Sequence, residues 1–429
     1  MAEEIIIVEG NNTLAGEVAV SGAKNSALKL IAAALLGQGP SVIRNVPLIS
    51  DIEIMSEVLR RLGATVERDG HVLTVDTAEV DNSETPYELV SKMRASISVL
   101  GPLIGRFGRA RVAMPGGCQI GARKIDMHLV GLEALGVEFS IDHGFLEART
   151  PHGLAGAHVV LDFPSVGATE NLLMAAVAAE GRTVLENAAC EPEIVDLANM
   201  LVAMGARVSG AGTSLVEVEG VPLSELRPCD HTTVGDRIEA GTFLVGGALT
   251  GGPVTVRGID PSFLRVALMK LSAMGCEVQT GPDWITVGRE RPLAPTDIQT
   301  LPHPGFPTDL QAQFMLLAAC AEGVSVITEN VFENRFMFAS ELMRMGADIT
   351  IEDHHALVRG VGMLQGADVS STDLRAGAAL VLAGIAAEGQ TRVHEIGHID
   401  RGYEDYAGKL ASLGANVRRA SAEDASAAR

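Results

Sequence analysis

Residues 62–67 read "LGATVE", and near-copies return as "LGVEFS" (135–140), "MGARVS" (204–209), "MGCEVQ" (274–279), "MGADIT" (345–350) and "LGANVR" (413–418). Their glycines stand at 63, 136, 205, 275, 346 and 414, so six units of about 70 residues fill the 429-residue chain. Each tag ends an amphipathic run such as "DIEIMSEVLRRLG" (51–63), where a glycine suits the left-handed residue that closes a helix. Alternating residues about a turn follow, as in "ATVERDGHVLTVD" (64–76), and predict a hairpin.

A second marker glycine opens another strand at 39, 108, 181, 252, 323 and 389, each time after an Ala/Leu-rich run such as "LKLIAAALL" (28–36) or "LLMAAVAA" (172–179). Each repeat therefore reads helix, strand, helix, hairpin, and the fold class is α/β. Helices apolar on nearly every side belong inside, with the sheets around them, and three repeats closing on such helices make one domain.

Fourteen residues before the marker glycines lie Asn25, Arg94, Gly167, Ile238, Asp309 and Arg375, each at the start of an apolar helix. The words around them, "SGAKNS", "KMRAS", "SVGATE", "DRIEAG", "FPTDLQ" and "TDLRAG", gather charge at equivalent helix N-termini. Helix N-termini offer free N–H groups and partial positive charge, so they bind anions. Ser165, Thr169 and Thr308 read as ordinary caps. Lys24, Arg94 and Arg375 do not, because a cation in a first turn opposes the helix dipole unless an anion arrives. Domains that face each other through these ends would hold an anionic ligand between them.

A formal charge of −21 disfavours nucleic acid and anionic membranes as partners. "MAEEIIIVEG" (1–10) carries acids where a signal peptide needs positive charge, and the apolar stretches break well short of the ~20 residues that span a bilayer, so a cytoplasmic protein without membrane insertion is expected. The cysteines at 118, 190, 229, 276 and 320 form no CxxC pair and suggest neither disulfides nor zinc. "HEIGH" (394–398) matches the HExxH pattern, but its repeat position predicts a strand, on which two His four apart stand roughly 13 Å from each other, too far to share one zinc. No metal and no cofactor is expected.

From marker glycine to tag glycine the second repeat spans 28 residues (108 to 136), against 23 to 25 in the others. The extra residues fall in "PGGCQIGARK" (115–124), a Gly-rich loop that reads as a mobile lid with Cys118 near its tip. Arg123 and Lys124 would favour the thiolate, although from the residues alone an inert loop cysteine is an equal reading.

The words "SGAKNSAL", "MRAS", "PGGCQIGAR", "SVGATE", "EPEIVDLA", "DRIEAGT", "PHPGFPTDLQAQF", "VFENRF", "TDLRA" and "HIDRGYE" stand in this order up to about residue 418, and on them the chain resembles the enolpyruvyl transferases that act on UDP-N-acetylglucosamine. The resemblance implies a two-domain inside-out α/β barrel, three repeats per domain, with residues 1–22 joining 233–429 and 23–232 forming the second domain with the 115–124 lid. Residues 419–429 read as a disordered tail. The implied reaction moves the enolpyruvyl group of phosphoenolpyruvate to the sugar's 3'-hydroxyl and releases phosphate, the first committed step toward peptidoglycan. Carried over by motif, Asp309 would be the base and Cys118 the acid. Lys24, Arg123 and Arg401 would hold phosphoenolpyruvate, with Arg375 near its carboxylate. Asn25, Arg94, Arg123, Lys124, Ile125, Asp126, Met127, Ser165, Val166, Gly167, Asp309, Val331 and Arg335 would bind substrate, chiefly the UDP-sugar. Fosfomycin would alkylate Cys118. Ser98 stands where many relatives carry Trp, and Lys124 where many carry Pro. The related branch acting on shikimate 3-phosphate lacks the PGGC loop, and a catalytically dead scaffold would have no need of Lys24, Cys118, Asp309 and Arg401 together.

Overall fold

The computed structural model describes residues 4–90, 94–114 and 125–422, with residues 90 and 94–96 described as backbone. The repeat is visible in the sheets. In five of the six, the strand after the marker glycine lies inside: Pro40–Arg44, Arg182–Glu186, Val254–Arg257, Val324–Thr328 and Gln390–His394; in the second repeat the equivalent strand, Arg109–Ala113, is the edge of a three-stranded sheet. It pairs antiparallel with the second hairpin strand, as Pro40–Arg44 does with Val72–Asp76. On its other side runs a short parallel strand from the end of the preceding repeat: His158–Val160 beside Arg182–Glu186, Ile298–Gln299 beside Val324–Thr328, Asp368–Ser370 beside Gln390–His394. The second repeat keeps this as a single parallel bridge between Glu84 and Arg111.

Two compact units result. One takes the chain up to Ser21 and again from Gly235 onward (unit 1), and the described residues from Gly22 to Val234 form the other (unit 2). Unit 2 closes on itself because its last segment, Asp230–Thr232, pairs parallel with the first central strand, Pro40–Arg44. Unit 1 closes with the N-terminus. Gly16–Ala19 runs parallel to Val254–Arg257, and Glu4–Glu9 lies antiparallel to both Gln390–His394 and Val417–Ser421.

The sixth repeat therefore departs from the sequence reading. Its helix Tyr406–Ser412 is followed by one strand, Val417–Ser421, and the second hairpin strand is supplied by residues 4–9. The apolar run Ile5–Val8 is fully buried there, whereas the chain beyond 421 has no alternating apolar residues to offer. The expected tail is shortened accordingly, because Arg419, Ala420 and Ser421 pair with Ile6, Ile5 and Glu4. Residues 423–429 lie outside the described residues.

Six apolar helices fill the interiors. Unit 2 holds α1 (Lys24–Ala33), α2 (Leu100–Phe107) and α3 (Val166–Ala176), and unit 1 holds α4 (Arg237–Thr250), α5 (Gln311–Ala319) and α6 (Leu374–Ala386). Every residue of α5, all but Asn25 of α1 and all but Thr250 of α4 are buried. Helix α2 packs on α3, and α4, α5 and α6 pack on one another. The six tag glycines have φ of 104, 94, 109, 90, 93 and 101°, which a side chain would make costly. Among the described residues no helix is long and apolar enough to cross a membrane.

Carboxylates buried on α3 and α4 pair with lysines. Lys29 Nζ of α1 lies 2.7 Å from Glu170 Oε2 of α3, and Lys409 Nζ lies 2.6 Å from Glu239 Oε1 of α4. Burial pushes the Glu170 carboxyl from 4.5 up to about 7, against the pull of Lys29 and with help from Glu193 and Glu191. As pH rises the unfolded chain gives up this proton first. The group therefore stabilises the fold fully below pH 4.5, and that contribution is lost as pH passes through about 7. Replacing the pair by apolar residues (K29M/E170L) removes it. Measured by urea unfolding, the stability of the parent relative to this variant should fall by about 1–3 kcal/mol between pH 4.5 and pH 8. An unchanged difference would show that Glu170 keeps its charge in the fold.

Candidate active site

In unit 1 the charged helix starts converge on one carboxylate. Asp309 lies in the turn Thr308–Leu310 that opens α5, directly after Pro307. Its Oδ1 accepts from Arg335 Nη2 at 2.8 Å, and its Oδ2 accepts from Arg375 Nε at 3.3 Å, with Arg375 Nη2 at 3.2 Å. The arginine side chains are 5% and 3% exposed and Asp309 is 23% exposed, so the carboxylate is the part that meets solvent. Arg375 is set by its own helix start, where Asp373 Oδ1 caps α6 by accepting from the N–H groups of Arg375 and Ala376. Burial opposes the Arg375 charge, but Tyr403, Asp309 and Asp236 outweigh it and hold the guanidinium above its ordinary pKa. The Tyr403 ring lies beneath it, 5.3 Å from Cζ to centroid.

Around this cluster, Arg335 Nη1 also donates to Thr308 Oγ1 at 3.0 Å, and the Val331 N–H is held by Glu329 Oε1 at 2.8 Å. Arg401 is half-buried and ends the short helix Gly397–Asp400.

In unit 2 Lys24 begins α1 and is buried, with Nζ 2.9 Å from Asp51 Oδ2. The glycine of "SGAKN" is required by a close approach: a β-carbon on Gly22 would lie 1.6 Å from the carbonyl oxygen of Asn45. Asn25 is half-buried. The Ser26 hydroxyl donates to Asp196 Oδ2, and Asp196 Oδ1 is 2.7 Å from His231 Nε2. The carboxylate stands between hydroxyl and imidazole, so no imidazole faces Ser26 and the trio is not ordered as a serine–histidine–aspartate relay.

Ser165 caps α3, its Oγ accepting from Ala168 N at 3.3 Å, and Val166 and Gly167 form the first turn. Gly167 faces His128, whose Nε2 and Cε1 would lie 3.1 Å from a β-carbon there. Asn171 fixes that ring: its Oδ1 accepts from Gly101 N and its Nδ2 donates to Ile97 O and to His128 Nδ1. Ile125 and Met127 are half-buried at the start of helix Asp126–Ala134, and exposed Asp126 accepts from Met127 N. Arg94 begins the turn Arg94–Val99, and Ser98 is buried. Cys118, Arg123 and Lys124 lie outside the described residues, as does the whole expected lid 115–124.

Several sequence expectations are corrected. Thr169 is no cap but lies inside α3, its Oγ1 accepting from Ala189 N. Thr308 caps nothing and instead links Arg335 to Glu329. Two of the cations at helix starts have an internal partner, Asp51 for Lys24 and, shared with Arg335, Asp309 for Arg375. "HEIGH" is strand only through His394; Glu395 turns left-handed at φ 55° and His398 falls in the following short helix. Among the described residues no group of three or more His, Cys, Asp or Glu could hold a metal ion.

The sequence reading missed Asp51, Tyr403 and Glu329. Glu329 had a signal: it stands six residues past its marker glycine, where Asn45, Asn187 and Glu395 stand in their repeats. The other cysteines are poor nucleophiles: burial raises the pKa of all four, Cys276 to about 11 and Cys320 to about 12.

Known proteins share this architecture. The solved enolpyruvyl transferase NikO from Streptomyces tendae superposes with a TM-score of 0.88 at 30% identity, covering 98% of this chain and 100% of that one. EPSP synthase from Acinetobacter baumannii, at 18% identity and a TM-score of 0.74, shares the fold, covering 97% of this chain and 100% of that one. The model of the family described as EPSP synthase (3-phosphoshikimate 1-carboxyvinyltransferase) matches residues 8–410. The UDP-N-acetylglucosamine 1-carboxyvinyltransferase of Corynebacterium jeikeium is 53% identical over 97% of this chain and 99% of its own, and that of Psychrobacter is 49% identical over 96% of each. The chain belongs to this transferase family, on the branch of the UDP-N-acetylglucosamine 1-carboxyvinyltransferases.

The Lys24–Asp51 pair generates a stability prediction. Asp51 is 1% exposed, so D51N leaves a buried ammonium facing a neutral amide. The variant should lose about 2–4 kcal/mol in urea unfolding, and K24M/D51L should recover most of it. Parental stability in D51N would mean that Lys24 is compensated elsewhere.

Proposed function

We propose that this chain transfers the enolpyruvyl group of phosphoenolpyruvate to the 3'-hydroxyl of UDP-N-acetylglucosamine and releases phosphate, the first committed step of peptidoglycan precursor synthesis, in the cytoplasm. The names of relatives about half identical over nearly the full chain support this reading. The single observation that carries the chemistry is Asp309, a partly exposed carboxylate between two buried guanidiniums at a helix start.

In the proposed mechanism Asp309 takes the proton of the 3'-hydroxyl as its oxygen attacks C2 of phosphoenolpyruvate. Cys118 delivers a proton to C3, giving a tetrahedral ketal. Loss of a proton from C3 then expels phosphate and restores the double bond. An anion on Arg375 competes with Asp309 for its donors, and a carboxylate that loses a donor is a better base. Substrate binding would thus arm the base. Lys24, Arg123 and Arg401 hold the phosphate, with Arg375 at the carboxylate, through charge-assisted hydrogen bonds. Asn25, Arg94, the stretch Arg123–Met127, Ser165–Gly167, Val331 and Arg335 receive the UDP-sugar. Fosfomycin alkylates Cys118 in this reading.

Phosphate release from phosphoenolpyruvate should appear with UDP-N-acetylglucosamine and not with shikimate 3-phosphate; the reverse pattern overturns the assignment. D309N should lower kcat at least ~100-fold. C118D keeps an acid without the thiol, and should turn over after preincubation with fosfomycin and UDP-N-acetylglucosamine while the parent does not.

A further inference from the structure

Glu329 is 3% exposed and its carboxylate receives four donors. Oε1 accepts from Thr300 Oγ1 at 2.9 Å, Val331 N at 2.8 Å and Phe332 N at 3.1 Å, while Oε2 accepts from Thr308 Oγ1 at 2.8 Å. The two hydroxyls each have a second partner. Thr300 Oγ1 also accepts from Asn330 N at 2.9 Å and Thr308 Oγ1 from Arg335 Nη1 at 3.0 Å, and each hydroxyl donates its proton to Glu329. Both oxygens act as acceptors in these four bonds, an arrangement that a carboxylate meets and an amide, with one oxygen and one NH2, does not.

The geometry makes one chain of alternating charge: Glu329 carboxylate, Thr308 hydroxyl, Arg335 guanidinium, Asp309 carboxylate, Arg375 guanidinium. The guanidinium that Thr308 touches is the one that holds Asp309. Arg335 is also fixed from its other side, with Cζ 5.2 Å from the ring centre of Phe332, whose own N–H is bound by Glu329. A carboxylate that only stapled the loop 329–332 would have no reason to reach Thr308 as well.

From this we infer that Glu329 is a positioning residue for the transfer reaction: through Thr308 and Arg335 it sets the geometry and basicity of Asp309, and through the Val331 N–H it ties that setting to the loop taken here as a sugar-nucleotide edge. The inference rests on Asp309 being the base. Part of the Arg335 donor strength is spent on Thr308, which Glu329 polarises. Without that demand Arg335 donates more fully to Asp309, and Asp309 becomes a weaker base that titrates at lower pH.

The test uses the full chain and the phosphate-release assay across pH. E329Q should lower kcat about tenfold or more, raise KM for UDP-N-acetylglucosamine, and move the acidic limb of kcat/KM to lower pH. T308V removes the relay while leaving the other three bonds to Glu329 in place, so it remains informative if E329Q folds poorly. It should reproduce the kcat loss and the shifted limb with KM near the parent's, and T308S should recover most of both. Parental kcat and an unmoved limb in T308V, with D309N inactive, would overturn the positioning role and leave the base in place. Parental turnover in D309N would instead remove the base reading and the inference with it.

Discussion

The structure depends on one constraint: six helices too apolar to meet water on any side. With α5 buried completely, and α1 and α4 but for one residue each, a polar group along these helices must find its partner inside, as Lys29 does in Glu170, and only the helix ends lie near solvent. The sheets are the consequence. Each central strand runs beside its helix, and the hairpin plus a borrowed edge strand makes a wall of four strands, three in the second repeat with its bridge. The placing of charge is a consequence as well. Lys24, Asp309 and Arg375 lie where a helix that cannot be polar along its length first becomes so.

The repeat made much of this legible. A glycine tag returning every seventy or so residues locates the helix ends, and the φ values at all six positions show why nothing else stands there. Alternation after each tag locates the hairpins. What the pattern could not show was the partner of Val417–Ser421, because pairing with residues 4–9 joins the two ends of the chain and leaves no local trace beyond a buried run of Ile and Val. The same limit applies to charge. Lys24 and Arg375 are conspicuous in sequence because they oppose a helix dipole, but the carboxylates that answer them come from residues 51 and 309, on other elements. Thr169 and Thr308 misled for a related reason: a hydroxyl near a helix start caps only if the free N–H groups are its nearest partners, and here a neighbouring loop or guanidinium is nearer.

Buried carboxylates in this molecule fall into two kinds, and the difference is in their donors. Glu170 faces one ammonium, and no second donor reaches either oxygen among the described residues, so burial dominates and its pKa climbs. Glu329 is nearly as buried but is surrounded by two N–H and two O–H groups. Dipoles that were fixed when the chain folded stabilise a charge without a counter-ion of their own. Thr308, which donates to Glu329, accepts in turn from Arg335, the guanidinium paired with Asp309.

The passages of the chain between units show the same economy. Ser21, the last residue of the first segment, is held within unit 1 by Glu239 Oε2 at its N–H and by the Asp236 N–H at its carbonyl. Val234, the last residue of unit 2, is held there by Asp196 Oδ2 at its N–H and by the Ala23 N–H at its carbonyl. Helices α1 and α4 begin within three residues of these points. The first turn that carries Lys24 is thus fixed twice, by Asp51 on its side chain and by Val234 on the backbone just before it. A lysine with four rotatable bonds is a poor fixed charge by itself. Anchored at both ends of its reach, it becomes a fixed charge rather than a solvated surface group.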